Sequence, residues 1–334
     1  VSTVQNESMK DQNYVKKNKE IAEKFLAWRR TQDISSLKRL NLGWSNWGFG
    51  KESFEESLKR LANHNIHYIE LHGNHYGSDF GYKEKEIKPI LKTYGVEVSG
   101  ICGMVSIESE LSSSSFAVRQ RSLDYFRKEA EFCASVGGKY ILFAAGAVGR
   151  PAPDDAYDYQ RSVESMKVIA EAFEEYGIRG AVEPVRSDEV SVVHTFAEAK
   201  QMIKEIGRPG IQHIAGDVFH MELGEEHIAG TIMDYPGEMT NLHLADSHRR
   251  ALGTGMLDLD TILMALYLTG YNNQYCFCSP EPLGGGSDPY AQMHGYPDKS
   301  MLDQLVAQTA SYFYEREGEI LNTPEEEIRK AYDL

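Results

Sequence analysis

Four residues suited to divalent cations recur at regular intervals in the second half of the chain: Glu183, Asp217, His243 and Glu281. Asp217 follows Glu183 by 34 positions, His243 follows Asp217 by 26, and Glu281 follows His243 by 38. Each interval is about the length of one strand plus one helix. The four stand in AVEPV, IAGDVFHME, NLHLADSHR and CSPEP, each in or just beyond a short apolar run. Three carboxylates crowded together without a cation repel, and some must then hold protons. A divalent ion removes that cost. Three carboxylates and one imidazole suit Mn²⁺, Mg²⁺, Co²⁺ or Fe²⁺ and leave positions for substrate oxygens. With no thiolate in the set, structural zinc does not fit. Any one of these residues alone reads equally as a solvated strand end; four on successive units do not.

Other candidates surround this set. His72 and His75, in ELHGNHYG, are either rim or core histidines bonded to backbone, or groups that bind a sugar and move protons, since histidine titrates near working pH. Trp44, Trp47 and Phe49, in LGWSNWGFG, either pack in the core or offer faces to a sugar or an aromatic substituent. His220 and Arg249 lie close in sequence to Asp217 and His243. The run FAAGAVGRP has no ionisable side chain before Arg150, so a base from that strand is missing. Glu70 and His67 read as structural, and Cys276 and Cys278 as small core residues on one strand face. GGG at 284–286 lacks the Lys and Ser/Thr of a phosphate loop and reads as part of a flexible lid within 282–300.

The elements that must position these residues alternate regularly. Candidate strands cover 40–48, 67–73, 97–104, 139–146, 179–185, 211–217, 240–247 and 274–281. Between them lie segments of helical period such as SFEESLKRLANHN and RSVESMKVIAEAFEEYG, several ending in Gly. Eight β-then-α repeats predict an α/β fold, a (β/α)₈ TIM barrel whose active face is built from the loops after the strands. The sixth helix, around EEHIAGTIM, is short. Residues 1–38 read as an N-terminal helical extension with Ile21, Phe25, Leu26 and Trp28 on one face, seated on a barrel end or serving as a subunit contact. Residues 39–322 read as the catalytic barrel and 323–334 as a helical tail opening with a Thr323-Pro324-Glu325-Glu326 capping box.

With 35 basic and 50 acidic residues in 334, the formal charge is −15, which disfavours nucleic acid or an anionic membrane as partner. Four cysteines in a chain of this size predict a reduced, cytoplasmic protein. The polar N-terminus has no apolar signal region, and no run of about 18 apolar residues predicts a membrane span.

The motifs Glu-Pro on the fifth candidate strand, Gly-Asp-x-x-His-Met on the sixth, His-x-x-Asp-Ser-x-Arg-x-x-x-Gly-x-Gly on the seventh and Glu-Pro on the eighth resemble those of the xylose-isomerase-like sugar isomerase/epimerase superfamily. Here they comprise Glu183; Asp217, His220 and Met221; His243, Asp246, Ser247, Arg249, Gly253 and Gly255; and Glu281. The resemblance, over about 40–320, is nearest to the ketose 3-epimerase branch. It implies that Glu183, Asp217, His243 and Glu281 bind one metal, usually Mn²⁺, that the two Glu form the proton-transfer pair, and that His220 and Arg249 hold sugar oxygens. DNA-repair endonucleases of the type IV family share this barrel, but they need more His ligands and a basic groove. The segments 42–50 and 69–83 and the N-terminal extension most resemble the larger subunit of C-glycoside deglycosidases. That resemblance implies cleavage of the sugar–aryl carbon–carbon bond of 3-oxo-C-glycosides, a small β subunit and a hetero-oligomer. The alternative is a ketose or 3-oxo-sugar epimerase or isomerase. Both begin with abstraction of the proton α to a ketone. The resulting candidates for proton transfer are Glu183, Glu281 and His75, and for substrate binding His72, His220, Arg249, Trp44 and Trp47.

Overall fold

The computed structural model describes residues 13–73, 81–284 and 294–334. Seven parallel strands follow one another in chain order around a single sheet: β1 (Tyr68–His72), β2 (Glu97–Cys102), β3 (Tyr140–Ala144), β4 (Arg179–Glu183), β5 (Ile211–Asp217), β6 (Met239–Leu244) and β7 (Phe277–Pro280). Their residues are nearly all buried, as expected of strands covered on both faces.

The first predicted strand takes a different form. Residues 41–45 bridge β7 and β1: Gly43 N donates to Cys278 O (2.7 Å), Ser45 N to Pro280 O (3.0 Å) and Glu70 N to Trp44 O (2.8 Å). Isolated parallel bridges, Leu42 with Cys278 and Ser45 with Glu70, replace a continuous ladder. Immediately afterwards the chain coils into a 3₁₀ turn, Asn46–Phe49, which ends the extended run short of the predicted boundary. This segment closes the seven strands into a TIM barrel.

The helices form the outer layer: α1 (Asn13–Arg29), α2 (Phe54–Asn63), α3 (Glu84–Tyr94), α4 (Phe116–Ser135), α5 (Asp158–Tyr176), α6 (Phe196–Ile206), α7 (Val218–Gly224), α8 (Ile228–Asp234), α9 (Leu259–Leu268), α10 (Lys299–Asn322) and α11 (Glu325–Ala331). The short sixth helical unit is two pieces, α7 and α8. The tail helix starts one residue later than the capping-box pattern predicts, with Pro324 as its N-cap and no capping side chain; Glu325 instead pairs with Arg30 and Arg329. No helix among the described residues is long and apolar enough to cross a membrane.

Helix α1 buries Ile21, Ala22, Phe25 and Leu26. It lies against the outer helices α8, α9 and α11 rather than across a barrel end. Phe25 and Trp28 meet at 5.4 Å with their rings tilted by 32°, and Trp28 meets Tyr267 of α9 at 5.6 Å. Arg29 then donates to the carbonyls of Ile320 (2.9 Å) and Thr323 (2.8 Å), satisfying the end of α10. Phe25 is fully buried. Phe25→Ala therefore costs about 3–5 kcal/mol in urea unfolding. A loss under about 1 kcal/mol would mean that α1 is not part of the folded core.

Candidate active site

The barrel brings the four predicted cation ligands together at the C-terminal ends of its strands. Glu183 ends β4, Asp217 ends β5, His243 is the penultimate residue of β6, and Glu281 follows β7. Parallel register places Asp217 opposite His243, and His243 opposite Ser279. All four are buried, none more than 8% exposed. His243 Nδ1 lies 3.6 Å from Glu183 Oε1 and 3.8 Å from Glu281 Oε2. Ligand atoms of Glu183, Asp217 and His243 fall within 4.8 Å of one another.

Their hydrogen bonding shows which atoms are committed. Asp217 Oδ1 accepts from Phe219 N (2.9 Å), while Oδ2 has no hydrogen-bond partner. His243 Nε2 lies 2.6 Å from Glu70 Oε1, while Nδ1 has none. Buried polar atoms without partners are costly. Here they face the same point as Glu183 and Glu281, an arrangement that fits a divalent cation bound by oxygen and imidazole.

The charges are strongly coupled. Burial pushes the Glu183 carboxyl up to about 7, against the pull of His243. Burial alone would lower the His243 imidazolium, but the charges of Glu70 and Glu281 carry it well above its ordinary value. His220 is held neutral, down to about 3, by burial and then by Arg249. Its Nδ1 has no hydrogen-bond partner, and its Nε2 lies 3.5 Å from Asp217 Oδ2.

Arg249 donates to Glu281 Oε2 (2.8 Å), reaches within 3.7 Å of Asp217 Oδ2 and lies over the Phe219 ring at 4.4 Å. Its backbone is left-handed, φ +54°. Asp246 makes this possible. Its carboxylate accepts from Ser247 N (2.8 Å), Thr254 N (3.0 Å) and Leu257 N (3.0 Å), and its carbonyl accepts from Arg249 N (2.6 Å). Gly255 packs so close that a Cβ there would meet Asp246 Oδ1 at 2.2 Å. The His-x-x-Asp-Ser-x-Arg-x-x-x-Gly-x-Gly pattern is thus a loop wound on one carboxylate that aims one guanidinium. His248, in the same loop, is exposed on the rim.

A cleft opens above these groups. It is lined by the charged or ionisable Glu183, Glu189, His220, His243, Arg249 and Glu281 and by the apolar Trp47, Val105, Ala144, Val148 and Val185. Cys102 also lines it, with its thiol pushed well up, chiefly by burial.

Trp47 therefore faces the cleft. Trp44, three residues earlier, does not: it is 1% exposed, stacks on Phe49 at 5.9 Å and serves the core. His72 is buried beside Trp47 (5.6 Å) and off the cleft lining. Its Nε2 meets Tyr82 Oη at 2.9 Å, and its Nδ1 meets Gly73 O at 3.2 Å. Asn46 completes that cluster, donating to Tyr82 Oη (2.6 Å) and accepting from His72 N (2.7 Å). His75 and residues 285–293, most of the predicted lid, lie outside the described residues.

Sequence reasoning did not single out Glu189, Tyr82 or Asn46, and it treated Glu70 as structural. Glu189 had a faint signal, an acid six residues beyond Glu183 in the loop after β4. Glu70 had a better one. In YIELH it sits mid-strand within a buried element, where an acid needs a partner.

A cation entering this site must displace protons held by His243 and, below about pH 7, by Glu183. Mn²⁺ titrated calorimetrically into metal-free protein should release protons, and its affinity should fall as pH drops from about 8 to 5.5. Affinity independent of pH, with no proton release, would contradict this.

Known proteins give the setting. Residues 58–293 match the model of the family described as xylose isomerase-like TIM barrel. A ketose 3-epimerase of Arthrobacter globiformis is 27% identical over 202 residues, 59% of this chain and 68% of that protein. A 3-dehydro-D-guloside 4-epimerase of Escherichia coli is 24% identical over 241 residues, 70% of this chain and 89% of that protein. The crystal structure of a D-allulose 3-epimerase from Methylomonas sp. superposes with a TM-score of 0.71 at 20% identity, over 84% of this chain and 99% of that one. The chain belongs to the xylose isomerase-like TIM barrel family.

Proposed function

We propose that this protein is a metal-dependent sugar epimerase or isomerase acting at a carbon next to a ketone. The observation that carries the reading is the approach of two buried carboxylates, Glu183 from β4 and Glu281 after β7, to the same unpartnered imidazole nitrogen. Relatives named as ketose 3-epimerases and as a 3-dehydro-D-guloside 4-epimerase support it. Glu183, Asp217, His243 and Glu281 would hold the ion, Mn²⁺ in this reading, with Mg²⁺, Co²⁺ and Fe²⁺ as alternatives. When bound, the ion supplies Lewis acidity to a substrate carbonyl.

The protein groups then divide the work. One carboxylate removes the α-proton and the other returns a proton to the opposite face, so that the configuration at that carbon inverts. Glu183, whose carboxyl burial pushes up to about 7, suits a base at neutral pH. Glu281 is held in place by Ser45 Oγ (3.1 Å) and Arg249 Nη2 (2.8 Å). Neutral His220 and Arg249 hydrogen-bond sugar oxygens, Trp47 offers a ring face, and His72 supports Trp47. The barrel, residues 39–322, carries this chemistry, flanked by the 1–38 extension and the 323–334 tail.

A second reading has an observation of its own, the apolar side chains Trp47, Val105, Ala144, Val148 and Val185 that line the cleft along with the charged groups. These side chains suit an aryl substituent. If the carbon beside the abstracted proton carries an aryl group, collapse of the same enolate forms a double bond between those two carbons, breaks the sugar–aryl bond as the aryl carbon takes up a proton, and makes the enzyme a carbon–carbon lyase on 3-oxo-C-glycosides. This reading brings a small second subunit, for which exposed Ile107, Phe116, Tyr157, Leu223, Met256 and Tyr296, all in segments following strands, offer a surface. Either reading suits a cytoplasmic enzyme.

Incubation in D₂O with a ketohexose, a 3-keto-glucoside and a 3-oxo-C-aryl-glucoside separates them. Epimerisation puts one deuterium at the carbon beside the carbonyl and yields the epimer; elimination releases free aglycone. Glu183→Gln and Glu281→Gln should each lower exchange by about 10²–10⁴-fold. Chelation should abolish it, and Mn²⁺ should restore it. Exchange that survives chelation, or both substitutions, would refute the proposal.

A further inference from the structure

We infer that Glu70 is a positioning residue that sets the tautomer and orientation of His243, so that Nδ1 is the nitrogen presented to the ion. The inference rests on the reading of the site as a cation centre and extends it to a layer of residues beneath the ligands.

Glu70 lies in the middle of β1, fully buried, and both its oxygens are committed. Oε1 stands 2.6 Å from His243 Nε2. Oε2 accepts from Tyr140 Oη, also at 2.6 Å. Tyr140 opens β3 and is itself fully buried. Its ring lies where Gly100 of β2 has no side chain: a Cβ on Gly100 would meet the ring at 2.5 Å. Glu70 and Gly100 are register partners, so the missing side chain lets Tyr140 reach past β2 to the carboxylate. Three strands thus cooperate in one chain of hydrogen bonds, Tyr140 to Glu70 to His243.

The chemical consequence follows from the ring. An imidazole that donates Nε2–H to a carboxylate carries its lone pair on Nδ1, and a charged acceptor makes that nitrogen a stronger ligand. Nδ1 is the atom without a hydrogen-bond partner, and it faces Glu183 and Glu281. A core ion pair would need neither this aim nor a tyrosine to occupy the second oxygen.

The test measures Mn²⁺ affinity by calorimetry and the visible spectrum of the Co²⁺-loaded protein, in wild type, Glu70→Gln and Tyr140→Phe, with circular dichroism to confirm folding. Glu70→Gln keeps the size and removes the charge, and it should weaken Mn²⁺ binding by about 10–100-fold and alter the Co²⁺ spectrum. Tyr140→Phe should weaken it by a smaller factor, about three- to tenfold. A purely structural role would lower the melting temperature and leave affinity and spectrum alone. Wild-type affinity and spectrum in Glu70→Gln would overturn the inference; should that variant not fold, unchanged affinity in Tyr140→Phe would do so. Failure of the wild type to take up either ion would overturn the reading of the site itself, a different result.

Discussion

The carboxylates of Glu70, Glu183, Asp217 and Glu281 are buried around one imidazole at the mouth of the barrel, and their mutual repulsion is the constraint to which the site is built. In a medium of low dielectric such a set is tolerable only if positive charge lies among the acids or if some of them take up protons. Both responses are visible. Arg249 is drawn in beside Glu281 and Asp217, and Glu183 is pushed toward neutral pH, chiefly by burial and to a smaller extent by the charges of Asp217 and Glu281. A divalent cation at the shared point would relieve the same repulsion more completely, because Glu183, Asp217 and Glu281 would face it at once.

The rest of the architecture serves that arrangement. Successive parallel strands deliver one acidic or imidazole group each to the same rim, which no single helix or loop could do. The loop after β6 is wound on Asp246 so that Arg249 is held left-handed and aimed inward. Phe219 links two roles: its amide fixes Asp217 Oδ1, and its ring lies under Arg249 at 4.4 Å and beside Arg186 at 4.6 Å. Among the described residues, the cleft lining joins ionisable groups to the apolar Trp47, Val105, Ala144, Val148 and Val185.

Much of this was legible in the sequence because strand-end chemistry repeats with the βα unit. Glu183, Asp217, His243 and Glu281 could be aligned from residue type and spacing, whereas the Arg249 loop was legible only through its resemblance to the family motif. What could not be read depends on contacts between distant segments. Trp44 and Trp47 look alike in LGWSNWGFG, but the 3₁₀ turn that begins between them sends one ring into the core and the other to the cleft. The extended run at 40–48 looks like a strand, yet it pairs only as bridges before coiling. Glu70 is an ordinary strand acid until Tyr140 and His243, 70 and 173 residues away, are folded onto it.

The central claim is convergence of four side chains on one cation, and anomalous diffraction from crystals grown with Mn²⁺ tests it most directly. The account predicts a single strong peak in contact with Glu183, Asp217, Glu281 and the Nδ1 atom of His243. A peak elsewhere, ligation through Nε2, or crystals without manganese in the barrel would contradict it.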